Sequence, residues 1–235
     1  MAKRILLIII CIYLYSSLYS NSNNTNIDFD VDVEEFVKYN YSHGKDSILI
    51  NKLDSLKLRI DNYISTNGYD ENVLQAYNLY IQFISEINPL EGIKLGEEVL
   101  SISKELKLVD AEVNSLHNLA KIYYNQELIN DALRIYKITS EIFKKQKDWG
   151  SYAYSIIDIG NVYFKIEEYD NALKYYKEAL SYFKKNLTSG KRHSAYGAAV
   201  CYNNFGLVAI KQNNYDSASY YFRKAYNIRV NNELK

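Results

Sequence analysis

Three alanines constrain this chain more than any other feature of it. Ala132, Ala172 and Ala218 each stand twelve residues after a small residue, Ala120, Gly160 and Gly206, and four before an aromatic one, Tyr136, Tyr176 and Phe222. The spacing is 40 residues from Ala132 to Ala172 and 46 from Ala172 to Ala218. A period in this range marks one helical hairpin copied and stacked side by side, because each copy must bury its apolar side against its neighbours. Small residues let the two helices of a hairpin approach closely, while the aromatic fills the space beside that contact.

Composition agrees with helices. One proline and nine glycines in 235 residues leave little material for β-hairpin turns, and frequent Leu, Ile, Lys and Glu favour an all-α chain. Lysine plus arginine balance aspartate plus glutamate at 28 each, so no bulk field draws in nucleic acid or an anionic membrane. Neither is an expected partner of the array.

The N-terminus is of another kind. Lys3 and Arg4 precede the apolar run Ile5 to Leu14, and Ser16, Ser17, Ser20 and Ser22 follow. Residues 1–22 therefore read as a secretory signal peptide cut after Ser20 or Ser22. The run is shorter than the roughly 20 residues of a membrane-spanning helix. An uncleaved inner-membrane anchor is the alternative, and the one route by which the membrane enters. Cys11 lies behind Ile10 rather than a small residue, unlike a lipid-attachment cysteine. Once residues 1–22 are removed Cys201 has no partner, so no intrachain disulfide forms and stability rests on packing. In its apolar stretch Cys201 reads as a small buried hydrophobe. The expected location is periplasmic or extracellular.

Residues 23–69 read as a polar linker and divergent N-terminal helices. Asp28, Asp30, Asp32 and Glu34 resemble the opening of a calcium loop, but Val33 and Tyr39 stand where glycine and a bidentate glutamate belong. An acidic first turn of a helix explains them better. Leu49, Leu53, Leu56, Ile60 and Tyr63 then form one apolar stripe on a helix from about Asp46 to Ser65, closed by the Asn67-Gly68 turn. The array occupies 70–235. Asn88-Pro89 reads as an N-cap and a first-turn proline, so the first hairpin pairs about 71–87 with 89–106. The others span about 110–147, 150–186 and, after a looser stretch from Leu187 to Ser194, 195–231.

Ile159-Gly160, Tyr163, Tyr169, Ala172, Tyr176, Ala179 and Leu180 resemble the tetratricopeptide repeat pattern. Phe205-Gly206, Tyr215, Ala218, Phe222 and Ala225 repeat it, and Leu119-Ala120, Tyr123, Ile129, Ala132 and Tyr136 do so more loosely. The first hairpin departs, with Tyr80 and Gly96 where a small and a large residue are expected, yet Gly92 keeps the 40-residue step to Ala132. Trp149 lies at a helix start, away from the pattern's tryptophan. The resemblance is to a long-period variant of the family, similar to exported proteins of Bacteroidota-like bacteria. It implies a right-handed α-solenoid and a non-catalytic scaffold that binds a protein or peptide. Some such proteins continue into a membrane span and a histidine kinase or regulator, which implies an extracytoplasmic sensor as the alternative.

At about 100° per residue, Leu116, Leu119, Ala120 and Tyr123 share one helix face, and Asn118, Lys121 and Asn125 fall opposite. The same offsets yield Asp158, Asn161 and Lys165, then Asn204, Leu207 and Lys211, and in the first hairpin Asn78, Ile81 and Ser85. The resemblance places these columns in the concave groove. Asparagine suits it, since one amide both donates to and accepts from a peptide backbone. His117, at the groove edge, would make binding sensitive to pH. Solvated helix faces explain any single member as well; recurrence in register favours binding for the set. A carboxylate clamp is not implied, because Ile157 stands where its lysine belongs.

Most of the 25 tyrosines read as core residues whose hydroxyls reach the surface. Tyr220, Tyr221 and Phe222 spread over about 200° of the last helix, so this end docks onto something, a second copy among the candidates, or the chain is the front of a longer design. His43, His117 and His193 are dispersed, with no metal-ligand spacing, phosphate loop or nucleophile elbow. Gly190-Lys191-Arg192-His193 reads as a solvated basic loop. No enzyme, metal or cofactor is expected.

Overall fold

The computed structural model of the chain describes residues 47–187 and 192–232. The expected signal segment, the polar tract and the acidic stretch from Asp28 to Glu34 lie outside the described residues. Those described form helices α1 Ser47–Asn67, α2 Glu71–Ile87, α3 Pro89–Glu105, α4 Val109–Asn125, α5 Ile129–Gln146, α6 Trp149–Lys165, α7 Tyr169–Leu187, α8 Arg192–Lys211 and α9 Tyr215–Asn231. Among the described residues there is no strand, and no helix is long and apolar enough to cross a membrane.

The chain divides into two compact units, Met1–Ile84 and Ser85–Lys235. The division falls inside α2, beyond residue 70 where the repeat pattern begins the array. In the first unit, Leu53, Leu56 and Ile60 of α1 are buried, as are Val73, Leu74, Tyr77, Tyr80 and Ile81 of α2. Asp70 ties the two helices: one carboxylate oxygen accepts from the Val73 amide at 2.9 Å and caps α2, and the other accepts from the Tyr63 hydroxyl at 2.6 Å. Gly68, at φ +77°, closes α1 in the left-handed region that glycine enters without strain.

The second unit is a run of antiparallel helices in which each of α3 to α9 packs on its sequence neighbour. Its core is continuous from Leu116 of α4 to Ala225 of α9. The small-aromatic pairs of the repeat meet as spacing requires. A Cβ on Gly160 would lie 2.5 Å from Cε1 of Tyr176, and one on Gly206 would lie 2.6 Å from Cε1 of Phe222. Between hairpins Gly197 does the same work, since a Cβ there would come within 2.4 Å of the Phe183 ring. In the divergent first hairpin Gly96 receives Leu119 of α4 in place of an aromatic, 2.8 Å from the position of a Cβ.

Five connections share one geometry. Lys107, Glu127, Lys147, Glu167 and Asn213 all have φ between 58° and 64°. At each, the amide of the left-handed residue returns to the carbonyl three residues back and the next amide to the carbonyl five residues before it, as in Glu167 to Phe164 and Glu168 to Tyr163. These are Schellman closures, which satisfy the last carbonyls of a helix while the chain reverses. Asn88, Asp148 and Asn214 cap the following helices by accepting from the amides of Glu91, Ser151 and Ser217.

One expectation is corrected. The basic stretch at Arg192-His193 is not loop: α8 begins at Arg192, earlier than Ala195. The reason is packing from α6. The Tyr154 hydroxyl donates to the His193 carbonyl at 3.2 Å, its ring meets the His193 imidazole edge-on at 4.9 Å, and Ser194 and Ala195 are buried behind them.

Candidate functional site

The leading helices of the second, third and fourth hairpins, α4, α6 and α8, lie next to one another, and polar side chains link them. His117 Nδ1 of α4 lies 3.8 Å from Asp158 Oδ2 of α6. One turn further along α6, Asn161 Oδ1 accepts from Asn204 Nδ2 of α8 at 3.3 Å and from the Tyr176 hydroxyl of α7 at 2.9 Å. Asp158 is hydrogen-bonded to Asn161 in turn. His117, Asp158, Asn161 and Asn204 thus form one polar row across three helices.

The pairing is diagonal. Repeat-equivalent residues Asn118, Asp158 and Asn204 sit on successive leading helices, but Asp158 meets the neighbour of Asn118, and Asn204 meets Asn161, a turn away from Asp158. Lys165 is similarly displaced: its Nζ donates to the Tyr124 carbonyl at 2.8 Å and lies 4.5 Å from the centre of the Tyr124 ring. A lysine there neutralises the carbonyl end of α4.

The row is half-buried, with side-chain exposures of 34% at His117 and 24% at Asp158. Burial pushes the Asp158 carboxyl up to about 7, against the opposing pull of Lys121 and the Asn161 hydrogen bond. It pulls the His117 imidazole down to about 4, and the positive charge of Lys121 acts in the same direction. Between these values both partners are held toward their neutral forms, so the 3.8 Å approach carries little ion-pair character.

The ten residues singled out from sequence divide into groups. His117, Asp158, Asn161 and Asn204 come together, and Lys165 braces the same face. Asn118, 9% exposed, lies beside His117 on α4, and Lys121 is half-buried near enough to act on both His117 and Asp158. Asn125 and Lys211 are exposed at the ends of their helices. Asn78 belongs to the other unit and is 4% exposed, with Ile81 at 0% beside it in sequence. Its column is covered because the middle of α2 is buried on every side, from Val73 through Asn78.

Sequence reasoning missed Tyr176 and Tyr124 here. Tyr176 was legible as the aromatic opposite Gly160; a ring laid across a glycine carries its hydroxyl to the far side of the helix, which is where Asn161 stands. Phe222 replaces it in the last hairpin and carries no hydroxyl. Among the described residues, no group of three or more His, Cys, Asp or Glu side chains could hold a metal ion. Burial pushes the Cys201 thiol up, as suits a packing residue.

Helical hairpins in register, with a small-aromatic contact inside the third and fourth and a polar face shared by their leading helices, define an α-helical repeat protein of a fold typical of interaction scaffolds. Residues 111–185 and 159–229 match the tetratricopeptide repeat, together just over half of the chain, and the chain belongs to that family. Among curated proteins none matches it significantly. Among solved structures it is similar to BtubC (BKLC) from P. vanneervenii, at 18% identity and TM-score 0.59, with 88% of this chain and 90% of that one covered. It is likewise similar to the nearly identical TPR-like repeats of a kinesin light chain of Podosopora anserina, at 13% identity and TM-score 0.63 over 88% and 97%. A Rap protein complexed with competence and sporulation factor matches at 14% identity and TM-score 0.60, over 94% of this chain and 60% of that one. At these identities the likeness is one of fold.

Proposed function

We propose that the chain is a non-catalytic scaffold that holds an extended peptide segment of another protein along the face shared by α4, α6 and α8. The polar row from His117 to Asn204 is the observation that carries this reading. Side-chain amides and the Asp158 carboxyl aligned across three helices present polar groups to one face, while Lys121, Asn125 and Lys211 flank them nearer to solvent. The Rap structure, a similar fold complexed with competence and sporulation factor, supports a binding role for a fold of this kind.

Asn161, Asn204 and Lys165 hold the helices together, so they are poor residues with which to test recognition. The test uses a phage-displayed peptide library selected on the full chain, with affinities of the selected peptides read by fluorescence anisotropy. Charge reversal at Lys121 and Lys211 together should weaken those peptides at least tenfold while the circular-dichroism melt is unchanged. Selected peptides that bind the double variant as they bind the parent would move the site to another surface. Export is part of the same reading, supported by the basic and then apolar start of the sequence. The mass of the protein recovered from the periplasm should correspond to a first residue of Asn21 or Asn23; an intact N-terminus in the cytoplasm would refute export.

A further inference from the structure

Hairpins two and three place a tyrosine at the same position of their leading helix, Tyr123 and Tyr163, and the fourth places Ala209 there. The two tyrosines fill the cleft between successive trailing helices. Tyr163 stacks on Tyr175 of α7 with ring centres 5.4 Å apart and planes 10° from parallel. Tyr123 reaches the other wall, its hydroxyl donating to Glu97 of α3 at 3.3 Å. In the fourth hairpin the equivalents of those walls are Tyr221 of α9 and Lys177 of α7, and no ring stands between them. What remains is a cavity of about 420 Å3 lined by Ala209, Lys177 and Tyr221, within the range of small-ligand pockets, about 300–1,000 Å3.

Its floor is apolar and firm: Phe205 and Val208 of α8 are 5% and 1% exposed, and Leu180 of α7 is 7% exposed. Its rim is positive. Lys177 and Lys184 line it, and no carboxylate does. The preceding copy has Lys137, Glu141 and Lys144 at the corresponding rim positions, whereas this one has Lys177, Ser181 and Lys184, so the acidic residue is lost. Lys184 and Lys224 both lie over the Tyr202 ring, at 5.8 and 5.4 Å, so a further cation shares that ring with Lys184.

We propose that this cleft, distinct from the leading-helix face, binds an aromatic side chain presented by an acidic peptide segment, the ring taking the place that Tyr123 and Tyr163 fill in the earlier hairpins. The missing ring sets the shape of the ligand and the rim sets its charge. An aromatic side chain entering between Leu180 and Tyr221 meets a tilted Phe205 ring already 5.4 Å from Tyr221, and flanking carboxylates reach the lysines.

The test uses the full chain and three fluorescein-labelled nonapeptides: one phenylalanine among aspartates, the same peptide with alanine for phenylalanine, and the phenylalanine among lysines. The first should bind at least tenfold more tightly than either other, and less tightly as salt is raised. Ala209→Tyr should restore the ring, raise the melting temperature and abolish that preference. The exposed pair Lys177→Glu with Lys184→Glu should weaken the acidic peptide at least tenfold without altering the melt, so the outcome does not hang on whether Ala209→Tyr folds. Equal binding of all three peptides, no binding of any at millimolar concentration, or unchanged binding by both variants overturns the proposal. So does concentration-dependent dimerisation by sedimentation that Ala209→Tyr abolishes, which would assign the cleft to a second copy. Reversal of Lys121 alone, on α4, leaves this peptide's binding unchanged, so failure at one face is distinguishable from failure at the other.

Discussion

At the scale of single residues the row of His117 and Asp158 shows how burial decides behaviour that residue type alone leaves open. The folded chain holds the Asp158 proton up to about pH 7 against an ordinary 3.8, so between about pH 4 and 7 it binds more protons there than the unfolded chain. Stability from this group therefore falls as pH rises through that window. His117, moved from 6.5 to about 4, does the reverse: the unfolded chain binds its proton first, and stability rises with pH from about 4 to 6.5. The two slopes oppose each other in the parent. Asp158→Asn should leave a chain that gains stability from pH 4 to 6.5, and His117→Gln one that loses it from pH 4 to 7, both read by urea midpoints across pH. Slopes of the same sign in both variants would refute the assignment. Gly160 makes a second residue-scale prediction. Tyr176 is 1% exposed and anchored through its hydroxyl, so it gives way poorly to the methyl of Gly160→Ala; overpacking of about 1–3 kcal/mol outweighs the roughly 1 kcal/mol that alanine adds to a helix. Gly206→Ala faces the half-buried Phe222, which gives way more easily, and should cost less, in a chemical-denaturation comparison of the two.

At the scale of helices, much was legible and the reasons differ by element. Asn88-Pro89 announced α3 because a side-chain acceptor before a fixed φ has few other uses, and Asn88 does accept from Glu91. The closing turns were not legible. Their left-handed residues are Lys107, Glu127, Lys147 and Glu167, types that carry no signal for that conformation, and only Asn213 belongs to a type enriched there. Tertiary packing of two helices separated by so short a link imposes the turn regardless of the residue. The early start of α8 was hidden for a related reason: charged residues at its first turn read as loop, and the contact of Tyr154 with His193 that accompanies the helical start is made only in the folded chain. The diagonal pairing of the polar row was hidden too, because periodicity places residues on a face but not their stagger between helices. These turns yield a prediction. Left-handed backbone costs a residue with a Cβ about 1–2 kcal/mol, and glycine returns about 0.4–1 kcal/mol of that through the entropy of the unfolded chain. Glu167→Gly should therefore raise the stability of the chain by up to about 1 kcal/mol, read by thermal and urea unfolding. A loss of stability would show that the Glu167 side chain makes a contact that matters more than its backbone.

At the scale of the whole molecule, a repeat unit draws its stability from its neighbours, so position along the row should govern how each helix opens. In the second unit α6 and α7 are packed from both sides and supply much of the core, from Tyr152 through Phe183. Among the described residues, helix α9 packs on α8. It buries Ala218 and Ala225, while Tyr215, Tyr220, Tyr226 and Val230 are 66%, 54%, 66% and 55% exposed. Native-state hydrogen exchange should rank the amides of α9 as the least protected of the helices from α6 onward, and those of α6 as the most. Tyr226→Ser, which removes surface that is not buried, should shift the unfolding free energy by no more than about 0.5 kcal/mol. Ala218→Leu, at 4% exposure in the small position that lets α9 approach α8, should instead destabilise the last hairpin selectively: exchange accelerates in α9 and in the half of α8 facing it, and protection in α6 is retained. Uniform acceleration across α6 to α9 would mean that the second unit unfolds as one cooperative block, and that its copies, though repeated in sequence, no longer behave as separable neighbours.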